Sequence, residues 1–264
     1  MTTDTKHGTD VHRRIALDNT VLRGQVGSGL HGVTTGDDDR DEMGVCIEPP
    51  EFVIGNRKFE QYIYRTQPEH VRSGAGDLDL CIYSLRKWAR LAAQGNPTIL
   101  LLMFIPPHEL TYTNPIGHDI QAHPERFLSR QVAARFAGYL VSQRERMLGL
   151  RSQRTNRPEL VNVYGFDTKF AYHMVRLGLQ GVELLTTGRI TLPMPEPHRT
   201  WLRQLRHGEH TKTEALERAD ALLAKLNYLR TNADLPEHPD RERIDSWLIG
   251  VYEGWWHGRD GELT

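Results

Sequence analysis

Apolar and polar positions first fall into a helical spacing at Val11–Asn19, then switch to a strand-like run at Val21–Val26. That run stops among Gly24, Gly27, Gly29 and Gly32, which read as a loop. A second apolar run, Met43–Ile47, follows an acidic cluster and ends at Pro49-Pro50, which cannot continue a central ladder, so it predicts a short strand. Residues 51–76 mix aromatic and polar positions and close on Ser73-Gly74-Ala75-Gly76, the pattern of a long, partly ordered connection. Alternation resumes over Asp77–Tyr83 and predicts a third strand, with Asp77 and Asp79 on the same face as Cys81 and Tyr83.

Ser84 is placed to cap a helix through Gln94, with Leu85, Trp88, Leu91 and Ala92 as its apolar stripe and Gly95 ending it. Thr98–Ile105 is almost wholly apolar, and periodicity does not separate a buried strand from a short buried helix there. From Pro124 the pattern is helical, with Phe127, Val132, Phe136, Tyr139 and Leu140 near a 3.6-residue period and no strong strand run before Val182. Thr211 and Glu214 form a capping-box pattern ahead of Leu216, Ala219, Leu223 and Leu226. Ile244, Trp247, Leu248, Val251 and Trp255 mark a last helix beyond Pro236 and Pro239. The change of pattern puts a lobe boundary near residue 120.

With 264 residues the chain has room for two modest lobes, and 38% hydrophobic with 25% charged residues is the composition of a folded globular protein. The net charge of -1 means that any attraction to nucleic acid must come from a local basic face. Cys46 and Cys81 sit in strand-like runs, which argues against a disulfide scaffold or a cysteine zinc site and fits a reducing cytoplasm. Met1–Asp10 is polar and without the apolar core of a secretory signal, and no run approaches the ~20 apolar residues that cross a bilayer, so no membrane association is expected.

The chemistry concentrates between the first and third strands. Gly27-Ser28-Gly29 leaves a strand, where glycine lets backbone approach phosphates and the Ser28 hydroxyl adds a donor. Eleven residues after Ser28 comes Asp39, and Asp39 and Asp41 flank Arg40, so entry into a strand aims both carboxylates at one side. Paired carboxylates of this kind hold divalent metal for phosphoryl chemistry. Asp79 on a neighbouring strand is placed to complete the set, with Asp77 the alternative.

Gly27-Ser28, His31-Gly32 and Asp38-Asp39-Arg40-Asp41-Glu42-Met43-Gly44-Val45 together resemble the Gly-Ser, Asp-x-Asp signature of the DNA polymerase beta superfamily of nucleotidyltransferases. More narrowly, the chain is similar to the RNA repair pathway DNA polymerase beta family, with Asp79–Tyr83, Leu85-Arg86-Lys87, Asn96-Pro97, Tyr164, Asp167-Thr168-Lys169, His173 and Arg176 continuing the likeness. In the run Asp37-Asp38-Asp39 the partner of Asp41 is chosen as Asp39 from the position of Gly44. The resemblance implies an α+β fold: a small mixed sheet with helices, followed by a mainly helical C-terminal lobe. It divides the chain into a flexible residues 1–10, a nucleotidyltransferase catalytic domain over 11–120 and a helical domain over 121–264.

It also implies Mg2+, with Mn2+ as a substitute, held by Asp39, Asp41 and Asp79, and a nucleoside triphosphate such as ATP held by Gly27 and Ser28. Lys169, His173 and Arg176 fall on one helical face after a capping Asp167 and are assigned to the nucleotide as well. Between Arg126 and Arg157 stand eight arginines and one acidic residue, Glu145, a stretch that reads first as a solvated face and second as one for phosphates. The expected activity is transfer of a nucleoside monophosphate to a hydroxyl, with an RNA or DNA 3′ end as the possible acceptor. The alternatives are a nucleotide-binding or antitoxin-like module without turnover and a nucleotidyltransferase that modifies a protein. Acceptor, base preference, ribose against deoxyribose and oligomeric state stay open.

Overall fold

The computed structural model describes residues 7–34, 36, 39–68, 71, 73–74, 76–151 and 157–258. These residues pack as two compact units, the first made of residues up to 93, 98–127 and 240 onward, the second of 94–97 and 128–239.

The first unit is built on a five-stranded mixed sheet. Helix α1 (Asp10–Asp18) is capped by Thr9, whose hydroxyl oxygen accepts from the His12 amide at 3.3 Å. It leads into β1 (Thr20–Val26). The glycines that follow form one short helix, α2 (Gly27–His31), rather than a loop; the turn closes because the Gly32 amide, in the left-handed region, bonds back to the Gly29 carbonyl. Strand β2 (Arg40–Cys46) comes next, then α3 (Pro50–Val53) and β3 (Gln61–Arg65), so the stretch expected to be a loose connection contains a helix turn and a strand. β4 (Leu78–Ser84) precedes α4 (Leu85–Ala93), and the Ser84 hydroxyl accepts from the Lys87 amide as the sequence pattern anticipated.

The apolar run after Pro97 resolves as helical, α5 (Pro97–Leu100) continuing into a tighter turn over Leu101–Phe104. β5 (Leu110–Thr113) and α6 (Pro115–Ala122) follow. The sheet order is β3-β4-β2-β1-β5, with β2 and β4 parallel and the other pairs antiparallel. One face of β2, β3 and β4 buries Cys46, Tyr62, Leu80 and Ile82 against Ile15 and Ala16 of α1.

The second unit is helical: α7 (Gln131–Met147), α8 (Pro158–Tyr164), α9 (Thr168–Thr187), α10 (His198–Arg206) and α11 (Lys212–Asn232). α7, α9 and α11 pack on one another around Phe136, Leu140, Val175, Leu184, Ala219 and Leu226. Close approach of α7 and α9 depends on Gly181, where a β-carbon would sit 2.8 Å from Phe136. The capping box at Thr211 and Glu214 is present in full.

The last helix, α12 (Arg241–Trp256), packs within the first unit rather than the second. Its Tyr252 hydroxyl donates to Glu48 Oε2 at 2.6 Å and accepts from the Arg86 amide at 3.1 Å, while Trp256 Nε1 donates to the Glu48 carbonyl at 3.0 Å. Trp247 Nε1 donates to Asp119 Oδ2 at 2.7 Å, and the Arg126 guanidinium both pairs with Asp119 and lies over the Trp247 ring. The mixed sheet with its helices, followed by a mainly helical region, is the α+β architecture expected from the sequence.

Candidate active site

Three strands set the site. In the β1/β2 register Val26 stands opposite Asp41, and in the parallel β2/β4 register Asp41 stands opposite Asp79. Asp39 lies just before β2, where the Arg40 amide donates to the Asp77 carbonyl at 2.8 Å and ties that approach to the start of β4. Alternation therefore directs Asp39, Asp41 and Asp79 to one face. One ligand oxygen from each lies within 4.8 Å of the other two, and all three side chains are half-buried. Asp37 and Asp38 lie outside the described residues.

The neighbour Glu42 points to the opposite face, where Arg23 Nε and Arg40 pair with it at 2.5 and 2.6 Å, and it is buried there. Asp77 is also elsewhere: its carboxylate accepts from the Thr66 hydroxyl at 2.8 Å and the Gly74 amide at 3.0 Å, the Gly74 bond chiefly holding its pKa below the ordinary value. Thus Asp79, not Asp77, joins the cluster.

Asp79 is held by a dense set of donors that sequence reading missed. Arg65 Nε donates to Oδ1 at 2.8 Å and its terminal nitrogen to Oδ2 at 3.1 Å; Gln67 donates to Oδ1 at 2.9 Å and the Ser73 hydroxyl to Oδ2 at 2.8 Å. Burial pushes the Asp79 pKa up, but the bonds from Arg65, Ser73 and Gln67 outweigh it and hold the group below the usual range. The charge of Arg65 also acts on Asp39 and Asp41. The signal that could have found Arg65 is the alternation Gln61-Tyr62-Ile63-Tyr64-Arg65 itself, which pairs Arg65 with Asp79 once β3 is recognised.

Gly27 lies against this cluster. Its φ is +81°, and a β-carbon there would overlap Asp41 Oδ2, so only glycine lets the chain leave β1 past that carboxylate. Ser28 follows within α2, half-buried, with its carbonyl accepting from the Val33 amide at 3.2 Å. Lys169, His173 and Arg176 share a face of α9 and belong to the second unit, where Asp167 caps the helix by accepting from the Lys169 and Phe170 amides, both at 3.0 Å. Most of the arginines between 126 and 157 have partners within their own unit: Arg126 pairs with Asp119, Arg130 with Glu237, Arg144 with Asp220, Arg151 with Glu145 and Arg157 with Asp167.

Three hard oxygen donors from converging carboxylates suit a small divalent cation of the Mg2+ or Mn2+ type, and the lowered pKa of Asp79 keeps that donor ionised. Carboxylates on adjacent strands of a small mixed sheet, beside a glycine-serine turn and followed by a helical region, define a nucleotidyltransferase of the polymerase beta type. A sequence profile of RlaP, the RNA repair pathway DNA polymerase beta family, matches residues 5–250, and the chain belongs to that family.

Among individual proteins, an uncharacterized 38.9 kDa protein of the nrdC-mobD intergenic region of Enterobacteria phage T4 is 28% identical over 127 residues. That match spans 47% of this chain and 37% of the phage protein. Among solved structures, the chain is similar to spectinomycin adenyltransferase AAD(9) from Enterococcus faecialis, solved with ATP and spectinomycin, at 14% identity and a TM-score of 0.36, covering 88% of this chain and 94% of that one. It is similar also to a nucleotidyltransferase-like protein from Exiguobacterium sibiricum 255-15, at 12% identity and a TM-score of 0.29, covering 97% and 80%. No helix among the described residues is long and apolar enough to cross a membrane.

Proposed function

We propose that the chain is a Mg2+-dependent nucleotidyltransferase that moves a nucleoside monophosphate from a nucleoside triphosphate to a hydroxyl acceptor, the acceptor being an RNA or DNA 3′ end in nucleic-acid repair. The observation that carries the reading is the convergence of Asp39, Asp41 and Asp79 within 4.8 Å on paired strands. We assign catalysis to residues 11–120, with Asp39 and Asp41 as metal ligands and Asp79 completing the set. Magnesium, when bound, supplies positive charge that neutralises the attacking and leaving oxygens. Gly27 and Ser28 hold the triphosphate alongside Asp41, and Lys169, His173 and Arg176 add contacts to the nucleotide. The acceptor oxygen forms a bond to the α-phosphorus as the bond from that phosphorus to the bridging oxygen breaks. The hydroxyl proton leaves toward Asp79, and pyrophosphate departs with the electron pair of the broken bond.

The test is incubation of the purified chain with Mg2+ and each α-labelled ribo- or deoxyribonucleoside triphosphate, with RNA, DNA, protein or no added acceptor. An Asp39→Ala/Asp41→Ala chain is run beside it. Label transferred to a nucleic acid 3′ end, and lost in the double variant, is the expected result. Label on a protein instead replaces the acceptor class, and metal-dependent nucleotide binding without transfer to any acceptor overturns the enzyme in favour of a binding module.

A further inference from the structure

The second unit gathers positive charge around the half-buried His173 ring. Four basic side chains from three segments act on His173: Lys169 and Arg176 from its own helix α9, Arg157 from the residue preceding α8, and Arg206 from the last turn of α10. Tyr172, buried, forms the floor of this group. The Arg176 and Arg206 guanidinium carbons lie 5.8 and 5.4 Å from its ring centroid, and the His173 ring lies 4.9 Å from it. Arg157 stands 5.1 Å over the neighbouring Phe170.

Arg176 carries the sharpest observation in the group. One terminal nitrogen donates to Gln180 Oε1 at 2.7 Å and the other lies 3.5 Å from His173 Nδ1, while Nε is buried and makes no hydrogen bond among the described residues. None of these contacts is to a carboxylate. A guanidinium whose Nε is buried without a hydrogen-bond partner is costly unless an anion completes its fork. Asp167 pairs with Arg157 and is shared: Oδ1 caps α9 while Oδ2 accepts from the Arg157 amide at 3.1 Å and guanidinium at 3.3 Å. Burial first, and then the four cations, hold the His173 pKa well below its ordinary value, so the imidazole is neutral and adds hydrogen-bonding capacity without charge. Lys169, Arg157 and Arg206 are half-buried and keep a rim that solvent reaches.

We propose that Arg157, Lys169, Arg176 and Arg206, with His173 and Gln180, form a phosphate-binding site of the helical unit that takes a terminal, multiply charged phosphate group. The choice of phosphate rests on the nucleotidyltransferase reading above; the cluster extends that reading to Arg157, Arg206 and Gln180. Several guanidinium groups near His173 match a tetrahedral oxyanion with three or more acceptor oxygens, whereas a lone carboxylate would satisfy one fork. Two sources carry such a group: the triphosphate tail of a nucleotide and the terminal phosphate of a nucleic acid strand.

The experiment is calorimetric titration of the full chain with inorganic tripolyphosphate in EDTA, so that no divalent ion contributes. The expected result is saturable binding that weakens at least tenfold in Arg206→Gln and in Lys169→Gln and is retained in Asp39→Ala/Asp41→Ala. The two single variants lie on the rim, and unchanged far-ultraviolet circular dichroism keeps the comparison valid. Absence of saturable binding in the parent chain, or binding indifferent to both single variants, overturns the site. Competition by ATP and not by an end-phosphorylated oligonucleotide assigns the site to the nucleotide; the reverse assigns it to the strand end, a hydroxyl-ended oligonucleotide being inert in either case. Nucleotidyl transfer measured on the same preparations separates the two proposals. Polyphosphate bound with no transfer removes the reaction and leaves this site, while transfer without polyphosphate binding removes this site and leaves the reaction.

Discussion

The Gly27 backbone lies so close to Asp41 that a β-carbon on Gly27 would overlap the Asp41 carboxylate oxygen and come within 3.1 Å of its Cβ, in a residue whose φ of +81° already disfavours any side chain. The turn that leaves β1 and the strand that carries Asp41 are thus one steric unit. Gly27→Ala carries about 1–2 kcal/mol of left-handed backbone cost plus displacement of Asp41. Because a shift of ~1 Å in a reacting group costs roughly 100-fold in rate, kcat/KM for transfer should fall by about that factor while the thermal midpoint drops by only a few degrees. A rate loss no larger than the loss of folded protein would show that Gly27 serves folding alone.

Three carboxylates within 4.8 Å repel one another, and Arg65 pairs with one of them, Asp79. Adding Mg2+ should therefore raise the thermal midpoint of the parent chain, and chelation should reverse it. Asp41→Asn relieves one repulsion, so its metal-free midpoint should equal or exceed that of the parent, its response to Mg2+ should shrink, and transfer should fall by roughly 100- to 1,000-fold or more. A Mg2+ response of the midpoint that survives in Asp41→Asn and in Asp39→Asn would place the cation elsewhere.

What the sequence made legible follows from where each strand sits in the sheet. β1, β2 and β4 are interior strands, β2 buried on both faces from Glu42 onward and β1 and β4 alternating buried with half-buried positions, so Val21–Val26, Met43–Ile47 and Asp77–Tyr83 carry strong patterns and the carboxylates can be read off them. The two strands that were missed, β3 and β5, are the two edges. An edge strand buries less: Tyr64, Arg65, Thr111 and Tyr112 are exposed, and their segments look like loops. Arg65 is hidden with β3, since its place opposite Asp79 can be read only once the weak alternation of that edge strand is taken as a strand. The Glu48 to Tyr252 bond spans 204 positions and is equally silent in the sequence, which is why the last helix was expected with the second lobe. The helices of the second unit carry their signals locally, in caps and 3.6-residue stripes, and were legible for that reason.

Glu48 gives a pH signature to the packing of α12. Its side chain is fully buried, Oε2 accepts from the Tyr252 hydroxyl and from the Leu85 amide at 3.2 Å, and Oε1 accepts no hydrogen bond among the described residues. Burial pushes its pKa above the usual 4.5, with the Tyr252 bond pulling the other way. Between the unfolded and folded values the native state binds the extra proton, so this group's contribution to stability is present below the unfolded value and declines as pH rises through the folded one. Denaturant unfolding of the parent chain and Glu48→Gln, at steps from pH 4 to 8, should show the difference between them shifting in favour of the variant as pH rises. A difference independent of pH would mean that Glu48 titrates in the folded protein as it does in the unfolded chain.

His173 should give the opposite slope in the second unit. Burial, followed by Arg176, Lys169, Arg157 and Arg206, lowers its pKa well below 6.5, so between the two values the unfolded chain binds the extra proton. Stability contributed by the neutral imidazole is complete above the unfolded value and is lost as pH falls through the folded one. His173→Gln removes the titration while keeping a polar side chain in reach of Arg176, so acidification from pH 7 toward pH 5 should destabilise the parent more than the variant. Hydrogen exchange of α9 amides is the sharper readout, because it assigns the loss to the helix that carries His173. Exchange that accelerates equally in both chains on acidification would show that the charge acting on α9 resides on another group.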